Sequence, residues 1–521
     1  MKSMLLVLPT DSRPVYLRIA DALRTAIMQE RLPATSRLPS SRQLATLLGV
    51  HKHTVMAAMD ELVAEGWLEA RQRSSYRVHR SPPKQVRAHR QLARLNAPNV
   101  KEFSWAQRQN VEIFSNADYF QFENQRITHR FTSDGPDLRL IPLDEFRDVL
   151  RRAGNSPAAE VFGYGGAQGV PTLLESIQTY LQRMRAIQGR QIIVTNGSTE
   201  AILMVALLLL GPGKRVVMDK LCFRPIHEIF SLTRTEICSV PMDADGTDPG
   251  ALEAVLRHRG ADLIYLTPLH HYPTTRTMPL ERRALIYQIA AQYGVPILED
   301  DYDHEFHYSG MPLAPMASDD PLGLVIYAST FSKSAFPGAR IGFLAVPNAL
   351  LLPLCKVRRC TTWQVNGLAQ QAMAIWINEG GFERHIARVR CTYQRRLTHM
   401  LACIDALKAS TLPELQLRVP DGGLAIWLDT KRDSQAVVDR AAARGVLAHS
   451  EHFCSLTPAV RGSHLRLRSP AWRKMRSVRG LRCLGRPSPI HPVFSLALPG
   501  RLSPAICKIE FNANTCRVCK K

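Results

Sequence analysis

No apolar run in this sequence is long enough to cross a bilayer: the longest, residues 201–210, reaches about half the necessary length. The N-terminus offers only a short apolar stretch at residues 4–8 and no clear cleavage site, so neither a secretory leader nor membrane insertion is expected. A disulfide framework is also missing. Of 11 cysteines, seven lie before residue 469 at irregular spacings, which suits a reducing cytoplasm and excludes a small secreted scaffold. Cys516 and Cys519 have a spacing seen in metal sites, but no partner ligands accompany them, and no metal is expected. Acidic residues are in short supply, with 45 Asp and Glu against 67 Lys and Arg for a formal net charge of +22. The excess is uneven: residues 469–521 hold 11 Lys or Arg against one acid, Glu510, and so carry +10 of it. A polyanionic partner fits this charge, though not as one continuous basic face.

What is present is enough for more than one core: 521 residues at 45% hydrophobic content predict two to four compact units. The first spans residues 11–80. After Pro14, the spacing of Tyr16, Ile19, Ala20, Leu23, Ala26 and Ile27 predicts an amphipathic helix. Leu38-Pro39-Ser40-Ser41 caps a short second helix through Leu48, Gly49 stops it, and a third begins near Lys52. Gly66-Trp67-Leu68 then leads to two short strands separated by residues 71–75. Together these predict a winged helix-turn-helix whose third helix presents His51, Lys52, His53 and Thr54 to a DNA groove, with Arg42, Arg71 and Arg73 as backbone clamps. Charge alone would favour an ordinary exposed basic face; the order of elements carries the DNA-binding reading. Leu38-Pro39-Ser40-Ser41-Arg42, Leu44-Ala45, Gly49-Val50, Thr54-Val55 and Glu65-Gly66 closely resemble the GntR-type DNA-binding domain. The wing departs from it, with Ser74-Ser75-Tyr76 where that family has glycines.

Residues 81–125 read as a linker, with Pro-Pro, scattered basic residues and no sustained apolar period. From 126 to 468, helical patterns alternate with short β-rich runs near 215–218, 237–240, 263–267, 295–298, 324–328 and 341–346, which predicts a three-layer α/β domain with a mostly parallel sheet. Ligands gather beyond the carboxyl ends of such strands. Thr195-Asn196-Gly197-Ser198-Thr199 precedes a helix from residue 200 to 210 and suits a phosphate, although most such turns are simple caps. Glu299-Asp300-Asp301-Tyr302 follows an apolar strand, reading either as a solvated loop or as carboxylates that hold a protonated ring nitrogen. Thr330-Phe331-Ser332-Lys333 and Pro337-Gly338-Ala339-Arg340 bracket the next turn, where a lysine can form a Schiff base beside phosphate ligands. A single lysine is usually surface; the ordered set is specific.

With this set, the large unit resembles a fold-type I aminotransferase-like domain with a smaller α+β subdomain, and its union with a GntR-type reader resembles the MocR family of regulators. The resemblance implies a pyridoxal 5'-phosphate cofactor bound as a Schiff base on Lys333, with Asp300 at the ring nitrogen, Tyr302 at the ring hydroxyl, and Ser198, Thr330, Ser332 and Arg340 around the phosphate. Phe223 stands where the family has a tyrosine, keeping a stacking surface without the hydroxyl. His270, in His270-His271-Tyr272-Pro273-Thr274, falls in a family loop near the cofactor, with a structural role as its alternative; Thr275 replaces a glycine there. Arg466, in Leu465-Arg466-Leu467, would receive the carboxylate of a small amino-compound effector. A homodimer on double-stranded DNA is implied. The likeness weakens after 468, where Arg468-Ser469 replaces a glycine and an aromatic residue, and residues 469–521 read as a divergent, non-homologous basic tail such as a frameshift leaves. The expected function is transcriptional regulation, the aminotransferase-like domain serving as sensor; a working aminotransferase with an accessory DNA-binding domain and a defective product with a frameshifted C-terminus are the alternatives.

Overall fold

The computed structural model describes residues 8–9, 11–71, 75–83, 127–132, 135–456 and 462–468; Arg73, most of the linker and the segment after 468 lie outside them. The chain divides into two units, Met1–Gln109 and Asn110–Lys521.

In the first unit, helix α1 (Val15–Met28) buries Ile19, Leu23 and Ile27 against α3 (Lys52–Ala64), which turns Val55, Met59 and Leu62 inward. Between them, α2 (Ser41–Leu48) starts at a capping box in which Ser40 and Gln43 exchange hydrogen bonds. It ends at Gly49, whose φ of 63° lies in the left-handed region that favours glycine. Strands β1 (Leu68–Arg71) and β2 (Ser75–Val78) pair antiparallel and form the wing. The Tyr76 hydroxyl donates to Asp60 at 3.1 Å, tying β2 to α3. Arg24 donates to both oxygens of Glu65 and pins α1 to the end of α3.

The second unit begins with the short strand β3 (His129–Arg130), followed by β4 (Gln191–Thr195), β5 (Arg215–Asp219), β6 (Glu236–Val240), a hairpin of β7 (Met242–Asp243) and β8 (Gly246–Thr247), then β9 (Leu263–Leu266), β10 (Ile297–Asp301), β11 (Val325–Thr330) and β12 (Gly342–Val346). Seven of these form one sheet in the order β4-β12-β11-β10-β9-β5-β6, with β12 antiparallel to both of its neighbours and the other pairs parallel. Alternation along each strand explains the three layers. Ile192, Val194, Val217, Ile264 and Ile297 face one apolar cluster, while Ile193, Val216, Leu263, Leu298 and Ile326 face another, and helices cover both faces.

A smaller subdomain follows: β13 (Gln416–Leu417), β14 (Ala425–Asp429), β15 (Val446–Leu447), β16 (His449–Ser450) and β17 (His464–Arg468). Four of them form an antiparallel sheet, β13-β14-β17-β16, packed with the helices Gly381–Ser410 and Ser434–Ala442, while β15 pairs with β3. One sequence expectation changes here. The apolar strand predicted near 295–298 runs on through Asp301, so Glu299, Asp300 and Asp301 are not a loop beyond it but its buried last residues. Partners from elsewhere in the chain make that burial tolerable: Glu299 accepts from the N–H groups of Met316 and Ala317, and Asp301 from the Tyr327 hydroxyl.

Candidate functional sites

On the first unit, His51 caps α3, its Nδ1 accepting from the His53 N–H at 3.4 Å, and the two rings stack with centroids 5.2 Å apart. His51, Lys52, His53 and Arg42 are all exposed and Thr54 is half-buried, so α3 opens with a polar, cationic face. Arg71 enters the wing through its backbone, paired with Ser75; its side chain and the whole of Arg73 lie outside what is described. The sequence reading missed Arg37 and Arg77, exposed arginines joined by an isolated antiparallel bridge at the base of the wing. Their signal is faint, since only strand pairing sets them side by side.

On the second unit, the carboxyl ends of β10 and β11, the start of the helix Ser198–Leu209 and β17 enclose a cavity of about 260 Å³. Ser198, Phe223, Asp300, Tyr302, Thr330, Ser332, Lys333, Arg340 and Arg466 all line it. One end is suited to an anion. The N–H groups opening a helix point outward there, and Arg340 donates to Asn196 O and so crosses the turn. Gly197 has φ 89°, and a Cβ on it would stand 3.4 Å from the Arg340 guanidinium. Gly342 admits no side chain, because a Cβ would lie 2.7 Å from the Gly197 carbonyl carbon. Behind the turn, Arg358, fully buried, donates to Glu200 at 2.8 Å and to Val194 O at 2.6 Å, fixing helix to strand. The Ser332 N–H donates to Thr330 Oγ1 at 3.1 Å, a local turn that places Lys333 next to the cavity.

Asp300 is 6% exposed. Its Oδ2 accepts from the Tyr265 hydroxyl at 2.8 Å, while the buried Oδ1 has no hydrogen-bond partner among the described residues. Burial pushes this carboxyl up to about 7, against the Tyr265 hydrogen bond and the nearby Lys333 charge. A buried carboxyl with one unpartnered oxygen, on a residue that lines the same cavity as a lysine, fits the protonated ring nitrogen of pyridoxal phosphate. At the far side, the Arg466 guanidinium lies 4.2 Å from the Tyr272 ring centroid, and Tyr272 packs edge-on against Phe223 at 5.0 Å.

His270 does not line the cavity. Its Nδ1 is 2.6 Å from Asp303 Oδ1, its ring presses on Gly422, and its carbonyl accepts from the Tyr302 hydroxyl at 2.9 Å. Burial works against a charged ring, but Asp303 outweighs it and holds His270 above its ordinary value. Its contacts are therefore with Asp303 and Tyr302, one layer behind the cavity wall. Tyr265, Thr267, Tyr272 and Arg468 also line the cavity and were missed; in sequence the tyrosines look like ordinary core and Arg468 like the start of the basic tail.

The family of class I and II aminotransferases matches residues 139–467, and the gntR family of bacterial regulatory proteins matches residues 15–78. A probable rhizopine catabolism regulatory protein, MocR of Rhizobium meliloti, is 31% identical over 397 residues, covering 75% of this chain and 78% of its own length. The HTH-type regulator TauR of Rhodobacter capsulatus is 27% identical, with 82% and 87% covered, and the pyridoxine biosynthesis regulator PdxR of Corynebacterium glutamicum 26%, with 87% and 92% covered. Among solved structures, the kynurenine aminotransferase of Pyrococcus horikoshii superposes with a TM-score of 0.67 at 24% identity, over 74% of this chain and 96% of that one. That likeness shows the fold of the second unit.

Proposed function

The chain belongs to the MocR-type regulators, in which a GntR DNA-binding domain is fused to an aminotransferase class I and II domain, and on that premise we propose that its cavity senses an amino compound for the DNA-binding unit. The protein is a DNA-binding transcriptional regulator, and its cofactor is pyridoxal phosphate. When bound, that cofactor supplies an aldehyde onto which amines exchange. Lys333 would hold the aldehyde carbon, Asp300 Oδ1 would accept from the ring nitrogen, Phe223 would cover a ring face, and Tyr302 would serve the ring hydroxyl. Ser198, Thr330, Ser332 and Arg340 would bind the phosphate, and Arg466 would receive the effector carboxylate. On the first unit, His51, Lys52, His53 and Thr54 would meet the groove, with Arg42, Arg71 and Arg73 on the backbone. The observation that carries the sensor reading is that Asp300, whose buried Oδ1 has no hydrogen-bond partner among the described residues, lines the same cavity as Lys333 and Arg466.

Effector and DNA are then linked through one equilibrium, so an effector that changes DNA affinity has its own affinity changed by the same factor. Expected coupling is on the order of 5- to 150-fold, read by anisotropy of labelled operator DNA with and without an amino compound that perturbs the cofactor spectrum. Unchanged DNA affinity with every such compound contradicts the sensor. A working aminotransferase is the second reading, favoured by the completeness of the same cavity lining. Turnover of an amino acid with an oxo acid supports it, and saturable spectral change without turnover supports the sensor. A cytoplasmic homodimer is part of this proposal, and light scattering of the full chain checks its mass.

A further inference from the structure

Strand β10 ends in two adjacent buried acids, Asp300 and Asp301, and the two-residue period of a strand sends them to opposite faces of the sheet. Each is met by a tyrosine from a neighbouring strand. Tyr265 of β9 lies in register beside Leu298 and Tyr327 of β11 beside Glu299, so each phenol starts two residues short of its acid and reaches along β10 to it. Tyr327 packs in one apolar cluster and Tyr265 in the other, as the alternation requires.

The two acids then part. Asp301 also has the buried Arg185 guanidinium at 3.5 Å, a permanent cation that offsets its charge whether or not a ligand is bound. Asp300 has the charge of Lys333 only at longer range, and the Tyr265 hydroxyl, 2.8 Å from its Oδ2, is its one hydrogen-bond donor among the described residues. That donor is firmly placed: Tyr265 is 4% exposed and packs edge-on against Phe230, with ring centroids 5.8 Å apart. Burial beside Asp300 also pushes its hydroxyl well above the ordinary tyrosine range, so it keeps its proton to donate. A donor to one carboxyl oxygen favours the charged form, and here it works against the burial that favours the neutral one.

We propose that Tyr265 is a positioning residue for the cofactor: by occupying Oδ2 it holds Asp300 in its charged form and leaves Oδ1 as the acceptor for the ring nitrogen. The inference rests on the reading that gives Asp300 to that nitrogen, and it adds the group behind Asp300 that orients and tunes it.

The test measures cofactor affinity by equilibrium dialysis of the full-length wild type, Tyr265→Phe, Asp300→Asn and the double variant near neutral pH. Phenylalanine keeps the ring and removes only the donor. Tyr265→Phe should weaken cofactor binding about tenfold or more beside Asp300, but less than about threefold in the Asp300→Asn background, where there is no charge for the phenol to stabilise. In cofactor-free protein, the stability that falls as pH rises through the Asp300 titration should go on falling about one pH unit further upward in Tyr265→Phe, and Asp300→Asn should abolish that difference. Cooperative melting shows that each variant folds. If Tyr265→Phe folds only when Asp300→Asn accompanies it, that rescue reports the same coupling and supports the proposal. A loss below about twofold in Tyr265→Phe, an equal loss in both backgrounds, or failure of both the single and the double variant to fold overturns the inference and leaves Asp300 with the ring nitrogen. Asp300→Asn that binds the cofactor as tightly as wild type overturns the Asp300 reading, and this inference with it.

Discussion

The two functional regions of this chain use charge in opposite ways. The opening of α3 keeps Lys52 and its flanking histidines in water, where they cost nothing before DNA arrives and gain from releasing counterions when it does. The cavity of the second unit buries Asp300 at 6% exposure and Arg466 and Arg468 at 3% and 2%, where each charge carries a desolvation penalty that its surroundings must offset. An exposed reader is therefore tuned by salt and tolerant of single changes, whereas a buried sensor is tuned by its ligands and intolerant of them.

Substitutions of decreasing effect sharpen that contrast. The largest belongs to Arg358, whose removal strands Glu200 behind the phosphate-facing turn; Arg358→Met should cost about 3–5 kcal/mol, visible as a lowered denaturation midpoint and weakened cofactor retention. A loss below 1 kcal/mol would show that the buried charges of this unit are not held as described. Next comes Asp300. Its carboxyl is raised from 3.8 to about 7, so in cofactor-free protein its neutral form contributes stability that is complete below about pH 4 and disappears as pH rises through 7. Relative to wild type, cofactor-free Asp300→Asn should gain roughly 2–4 kcal/mol between pH 4 and pH 8, judged from melting curves. Glu299, raised likewise to about 7, is common to both proteins and cancels. With cofactor the order should invert, because the variant loses the partner of the ring nitrogen; a gap that ignores both pH and cofactor breaks the assignment. The smallest effect is on the reader: Lys52→Ala should weaken DNA binding by about 1 kcal/mol and lower the salt slope by about one, with no change in melting temperature. An unchanged salt slope places Lys52 outside the phosphate contacts.

The same contrast governs what could be read from sequence. In the first unit the signals are local: the Ser40 and Gln43 box, the stop at Gly49 and the inward spacing of Val55, Met59 and Leu62 each lie within one helix or its cap. In the second, Lys333, Ser332 and Arg340 are legible because they follow a strand in a distinctive short text. The burial of Glu299, Asp300 and Asp301 is not, since a run of three acids reads as solvated until Tyr265, Tyr327 and the N–H groups of residues 316 and 317 are brought up from elsewhere. Nor is the place of His270, set by Asp303 and by Gly422, more than a hundred residues away. Arg468 became legible only when the alternation of β17 showed that it shares a face with Arg466.

The measurement closest to the central claim is borohydride reduction of the cofactor-loaded, full-length protein, followed by proteolysis and peptide mass analysis, with Lys333→Ala alongside. The account predicts that reduced cofactor is attached at Lys333 alone, and that the variant carries none while it binds operator DNA in the absence of effector. Folded wild type that retains no cofactor, or that carries it on a different lysine, would contradict it.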